Sequence, residues 1–267
     1  MIEICKVELF KIRKQTSSFW VLVGIIAGIC VCFVGQRFVQ AREMTGSVFR
    51  TWDILPDAFY FFFQYHDVGV VRLLTDLGPI LLAASVFSQD HATGMLRTLD
   101  SHGLHRARYL AGQGVAVLLS LILAWGVGAL VMGIAGAICT YVLLGEFAWE
   151  SRFWADGLHM VIGHTVRQFV SISFVLLTVV LFRQALVGAM GGLFYFTIVV
   201  PAESWLLEKI GGSPLLPYTL AHANKAVIDP SVPMPDLEFA RAVFALLLSG
   251  LLIMAGAVAV FDRAENL

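Results

Sequence analysis

Hydrophobic positions dominate this chain in long blocks, broken by short polar stretches. No charged residue falls between Arg108 and Glu146, and similar runs flank that one. A membrane-crossing helix needs about 20 apolar residues. The blocks predict six such helices, over 18–38, 69–89, 110–144, 158–182, 185–205 and 240–261. The third is long for one upright crossing: about 35 residues at 1.5 Å each give about 50 Å. Tilt, extension past the headgroups or a split into two short spans would each accommodate it, but no Pro or charged turn divides it. Only Arg183 and Gln184 separate the fourth and fifth blocks, which predicts a tight hairpin.

Composition supports lipid as the main solvent. The 267 residues are 58% hydrophobic and only 14% charged, against about 25% charge in soluble domains. The net charge of −1 argues against a nucleic-acid partner. Of the four cysteines, Cys30, Cys32 and Cys139 lie in apolar runs and Cys5 does not, so a disulfide scaffold is not expected. Cys30 and Cys32 would point about 200° apart on a helix, which suits packing better than a shared metal. The cations before Phe19 resemble a signal-peptide n-region, but the following run is long enough to span, and we expect a retained helix.

Orientation follows the density of Lys and Arg. With both termini inside, the short inner pieces hold Lys6, Lys11, Arg13, Lys14, Arg97, Arg106, Arg108, Arg183 and Arg263. The longer outer pieces hold fewer cations. The chain is therefore expected to be an all-α polytopic membrane protein with six spans, N-in and C-in. Residues 1–17 form an amphipathic cytoplasmic segment, suited to lying along the headgroups or to anchoring the first span. Residues 18–267 form the transmembrane domain. Outside, Trp52–Tyr65 is an aromatic cluster fit for the headgroup layer. The 206–238 segment contains Pro214, Pro217, Pro230, Pro233 and Pro235, and reads as re-entrant or interfacial.

The inner loop from Ser88 to Gln113 carries the sharpest local pattern, SQDHATGMLRTLDSHGLHRARYLAGQ. Asp90, Gly94, Leu96, Arg97, Leu99 and Arg106 stand where ABC-2-type permeases commonly place an acidic residue, Gly-Thr-Leu-Arg, a Leu pair and an Arg before the next span. The chain resembles that family along its length, although Met95 replaces the usual Thr and Gln113 stands where Lys is frequent. The resemblance implies the membrane subunit of a bacterial ATP-driven exporter, in the plasma membrane. Its 90–108 loop would be a coupling helix docked on a separate ATPase subunit, and a second permease subunit would complete the pathway. No GxxxxGK[ST] loop occurs. ATP and Mg are therefore expected on the partner, with no cofactor and no catalytic residue on this chain.

Ionisable residues inside spans mark polar interiors. Arg72 and Asp76 are four apart and share a helix face; His164 and Arg167 share one with Ser171 and Thr178. Asp76 and Arg167 fall at similar depth, so they can pair, either pinning two helices or lining a polar path. Gly24–Gly28 and Gly188–Gly192 are GxxxG pairs that mark close helix contacts. Packing within the subunit is the simpler expectation for both, with a seam to a second copy the alternative for the first span. Pro201 is expected to kink the fifth.

Two other functions stay open on sequence. An ion-coupled secondary transporter would use Asp76 or the histidines as proton sites, though no inverted repeat is evident. An intramembrane metalloenzyme would draw on His159 and His164 with Asp76 or Glu203, but the histidines would point about 140° apart, and neither HExxH nor GxSG occurs.

Overall fold

The computed structural model describes residues 2–14, 17–43, 69–92, 106–145, 151–210, 219–228 and 237–264. Among these residues the chain is all-α. The helices are α1 (Ile2–Lys14), α2 (Ser17–Glu43), α3 (Gly69–Ala92), α4 (Arg106–Leu144), α5 (Ser151–Phe182), α6 (Ala185–Phe194), α7 (Val200–Ile210), α8 (Leu220–Ala226) and α9 (Leu237–Ala264), with a π-helical turn at Tyr195–Val199. The aromatic cluster 52–65 and the prolines at 214, 217, 230, 233 and 235 lie outside the described residues.

Among the described residues, five helical stretches are long and apolar enough to cross a membrane: Phe19–Gln36, Arg108–Val142, Ala155–Phe182, Ala185–Glu203 and Leu237–Phe261. The predicted second span is present as α3, which carries Arg72, Asp76, Asp90 and Pro79 and is not among the five. The third block is one unbroken helix of 39 residues, about 58 Å long, so no split occurs. The fourth starts at Ser151, seven residues before the apolar block that predicted it.

The hairpin at residues 183–184 is as tight as its two polar residues require. Arg183 adopts a left-handed φ of 58° and its amide still donates to the Val179 carbonyl at 2.7 Å. That reverses the chain and lets α6 pack back on α5. Glycines set the approach: a Cβ on Gly188 would meet Val179 Cγ2 at 2.3 Å, and one on Gly191 would meet Thr178 Oγ1 at 2.3 Å. Gly24 and Gly28, by contrast, have nothing among the described residues within 4 Å of a Cβ position. The same GxxxG spacing thus serves packing within the subunit on α6 and faces outward on α2.

Pro201 has no amide to offer Thr197, and the irregularity it causes lies just before it. In the π-turn the Val200 amide bonds the Tyr195 carbonyl, five residues back. Pi turns of this kind absorb a mismatch in helical register.

α5 sits at the centre of the bundle. Its crossing window is 72% buried, against 17% for α9. Outward faces carry large apolar groups such as Phe244 (67% exposed) and Leu252 (65%), as lipid contact requires. Contacts also fix direction. His159 meets Phe239 and Phe169 lies where a Gly250 Cβ would be, so α5 and α9 run parallel. A Gly112 Cβ would meet Ile4 at 2.6 Å and a Gly114 Cβ would meet Met254 at 3.2 Å. The start of α4, helix α1 and the C-terminal half of α9 therefore gather at one end of the bundle.

Candidate functional site

A buried polar seam runs along α5. Arg167 is 2% exposed and its Nη2 donates to Asp76 Oδ2 on α3 at 2.9 Å. The guanidinium also lies over the Phe196 ring, 4.8 Å from its centroid, a cation–π contact strengthened by exclusion of water. The pairing that matched depth allows is present. Charges taken out of water require such partners, because an isolated buried ion costs several kcal/mol (order of magnitude).

The neighbouring Gln168 answers a demand made by a proline in α3. Pro79 lies inside α3 and has no N–H to give the Thr75 carbonyl four residues earlier. Thr75 is fully buried, so that carbonyl needs another donor. Gln168 Nε2 supplies it at 2.8 Å, while Gln168 Oε1 accepts from the Trp125 indole of α4 at 3.0 Å. A single amide thus ties α3, α4 and α5 together. The Trp125 ring stacks on His164, with centroids 4.3 Å apart and planes 16° apart. His164, fully buried, is part of this seam.

Towards α8 the seam continues. Tyr195, in the π-turn, stacks on Phe174 at 5.3 Å, and its hydroxyl accepts from Asn224 Nδ2 of α8 at 2.6 Å. Both ends of α8 are closed by distant side chains. Glu203 accepts from the Leu220 and Ala221 amides at 3.1 and 3.0 Å, and Thr219 caps the His222 amide at 3.1 Å. At the other end His159 Nε2 donates to the Val227 carbonyl at 3.0 Å. That carbonyl lies only 2.1 Å from where a Gly163 Cβ would stand. Protein groups therefore meet backbone polar groups at both ends of this short helix. His159 and Glu203, considered as metal ligands with His164, are instead spent on α8. Among the described residues no group of three His, Cys, Asp or Glu is arranged to hold a metal.

The remaining sequence-predicted residues are placed as follows. Arg72 lies in the first turn of α3 and Asp90 near its end, and Arg106 opens α4. Gly94, Leu96, Arg97 and Leu99 lie outside the described residues. The loop they belong to joins α3 to α4, the helices that carry Asp76 and Trp125.

Sequence reasoning missed Gln168, Trp125, Tyr195 and Asn224. The signal that would have found Gln168 is Pro79: a proline within a span frees one carbonyl, and a long amide at matching depth is its natural donor. Compared with known proteins, the chain matches no family model and no curated protein.

Proposed function

We propose that this chain is the permease subunit of an ABC-2-type exporter. In this reading it crosses a bacterial plasma membrane six times, with both termini and the 90–108 loop in the cytoplasm. A separate ATPase binds that loop and supplies ATP and Mg; a second permease subunit, identical or related, completes the pathway. The observation that carries the reading is the Asp90, Gly94, Leu96, Arg97, Leu99, Arg106 pattern in the loop between two bundle helices.

The fold supports it mechanically. Force on that loop acts on α3 and α4 together, and both are hydrogen-bonded to α5 through Gln168. α3 is also held through the Asp76–Arg167 pair. Movement of the loop-side ends of α3 and α4 is thereby linked to the buried polar seam. Asp76, His164 and Arg167 line the interior along which polar cargo would pass or on which the helices pivot, and Arg72 stands four residues before Asp76 on the same helix. The positions of α1, the α4 start and the α9 end on one side of the bundle agree with an even number of crossings between them.

The test is co-purification. The tagged chain is expressed with any ABC ATPase encoded beside its gene, and that ATPase is expected to be retained. Arg97→Glu is expected to release it while the permease stays monodisperse. A cysteine placed at Thr98 should react with a membrane-impermeant maleimide only after cells are opened. Labelling of Thr98→Cys in intact cells, or failure of any neighbouring ATPase to bind, overturns the proposal.

A further inference from the structure

Where α1, α2 and α4 converge, Leu9, Ile12, Phe19, Trp20, Ser120 and Leu123 line a cavity of about 410 Å³. This is within the size range of small-ligand sites, roughly 300–1,000 Å³. Ile12 and Phe19 form buried walls, whereas Trp20 and Leu123, each 56% exposed, stand at the outer surface. The Phe19 and Trp20 rings meet edge to face at 5.4 Å. Among the described lining residues the one hydroxyl, Ser120 Oγ, already donates to the Ala116 carbonyl at 2.8 Å. The walls thus suit hydrocarbon and ask nothing polar of an occupant.

The charge lies on α1 beside the cavity. This 13-residue helix carries Lys6, Lys11, Arg13 and Lys14 against Glu3 and Glu8. Glu8 is already neutralised by Lys11 at 2.7 Å. Lys6 and Arg13 stand three residues before and four after the cavity residue Leu9, positions that share its helix face. An apolar slot next to a basic helix face matches an amphiphile with a negative head, and cations near a membrane surface each attract anionic lipid by a modest amount.

We propose that this slot binds one acyl chain of an anionic phospholipid, drawn from the leaflet on the α1 side, with its phosphate against the basic face of α1. The site makes α1 lipid-responsive: an occupied slot wedges between α1 and the α2–α4 pair. It rests on the membrane reading and on no ATPase, so loss of one proposal leaves the other standing.

The experiment uses the full chain in phosphatidylcholine proteoliposomes. A minor fraction of lipid carries mid-chain bromine, on phosphatidylglycerol in one series and on phosphatidylcholine in the other. Bromine quenches tryptophan on contact, and subtraction of the Trp20→Phe protein isolates the Trp20 signal. We expect brominated phosphatidylglycerol to reach half-maximal quenching at a several-fold lower fraction than brominated phosphatidylcholine. Ser120→Phe, which fills the slot, should abolish the preference. Lys6→Gln with Arg13→Gln, which leaves the apolar walls intact, should bring the two half-maximal fractions close together, since each cation near the membrane contributes about fivefold. Equal quenching by the two lipids in the unmodified protein means ordinary annular lipid and overturns the proposal. So does a preference that survives both sets of substitutions.

Discussion

Gln168 does for Thr75 what the amide of residue 79 would do in an unbroken helix. Its Nε2 sits 2.8 Å from the Thr75 carbonyl, which Pro79 leaves without a helical donor. The exchange is not neutral, because it moves a local bond within α3 to a bond between α3 and α5. The same side chain holds Trp125, so α4 is committed as well.

Substitution at this position is therefore expected to be costly in a way that its neighbour can repair. Gln168→Leu buries an unsatisfied carbonyl and an unsatisfied indole N–H, at about 1–3 kcal/mol each. Pro79→Ala in the same protein returns an amide to Thr75 and should recover roughly the carbonyl's share. Thermal unfolding in detergent reads both. A double variant no more stable than Gln168→Leu would show that Pro79 is not what creates the demand.

Arg167 and Asp76 should behave as a unit. Arg167→Leu leaves a carboxylate buried at 3% exposure without its cation, a loss of about 3–5 kcal/mol for a pair broken on one side. Arg167→Leu with Asp76→Leu removes both charges and should fold better than the single variant. Yield of monodisperse protein and unfolding temperature measure the order. Equal defects in the single and double variants would sink the pairing as a stabilising interaction. If folding is rescued but transport is not, the pair serves the pathway as well as the bundle.

The parts of this molecule that were legible in the sequence are those fixed by one stretch of chain. The unbroken apolar run after Arg108 becomes the single helix α4, and two polar residues become the 183–184 turn. The Asp76–Arg167 pair was accessible because depth in a bilayer is a coordinate that sequence position supplies. What escaped depends on partners far apart in the chain. Glu8 sits on an amphipathic helix suited to the headgroups, yet it is 2% exposed because Tyr109, 101 residues away, donates to it. The LLPYTLAHA stretch was too short and broken to span. Its helical part, α8, is held by Glu203 and His159, which lie 17 and 68 residues from the groups they bind. GxxxG spacing announced close contact at two places, and only neighbouring packing decided which one was internal.

The glycines offer a graded test of that packing. Gly163→Ala places a methyl 2.1 Å from the Val227 carbonyl, so backbone must move, and α8 with it. Overpacking of this kind typically costs about 1–3 kcal/mol or more. Gly24→Ala and Gly28→Ala meet nothing among the described residues within 4 Å and should leave the unfolding temperature of the subunit unchanged or slightly raised, since Ala favours a helix by about 1 kcal/mol over Gly. The two α2 variants also report on the proposed second subunit. If α2 forms the seam, cross-linked dimer falls in native membranes while subunit stability holds.

Tyr109 is the hinge pin of α1. Its hydroxyl donates to Glu8 Oε1 at 3.1 Å and accepts from Lys11 Nζ at 3.3 Å and Gln113 Nε2 at 3.2 Å. Tyr109→Phe keeps the ring and its packing but removes the atom on which these three groups converge. Glu8 then keeps the Lys11 bond and loses its Tyr109 bond to α4, so the fastening of α1 to the start of α4 leans more on the Lys11 cation over the ring and on apolar contacts such as Ile4 against Gly112. About 1–3 kcal/mol should be lost locally, and local opening should rise while the global fold persists. Hydrogen exchange followed by mass spectrometry is expected to show faster exchange across Ile2–Lys14 with α5 unchanged. Unaltered protection of α1 would mean that the Tyr109 hydroxyl is not what holds this helix in place.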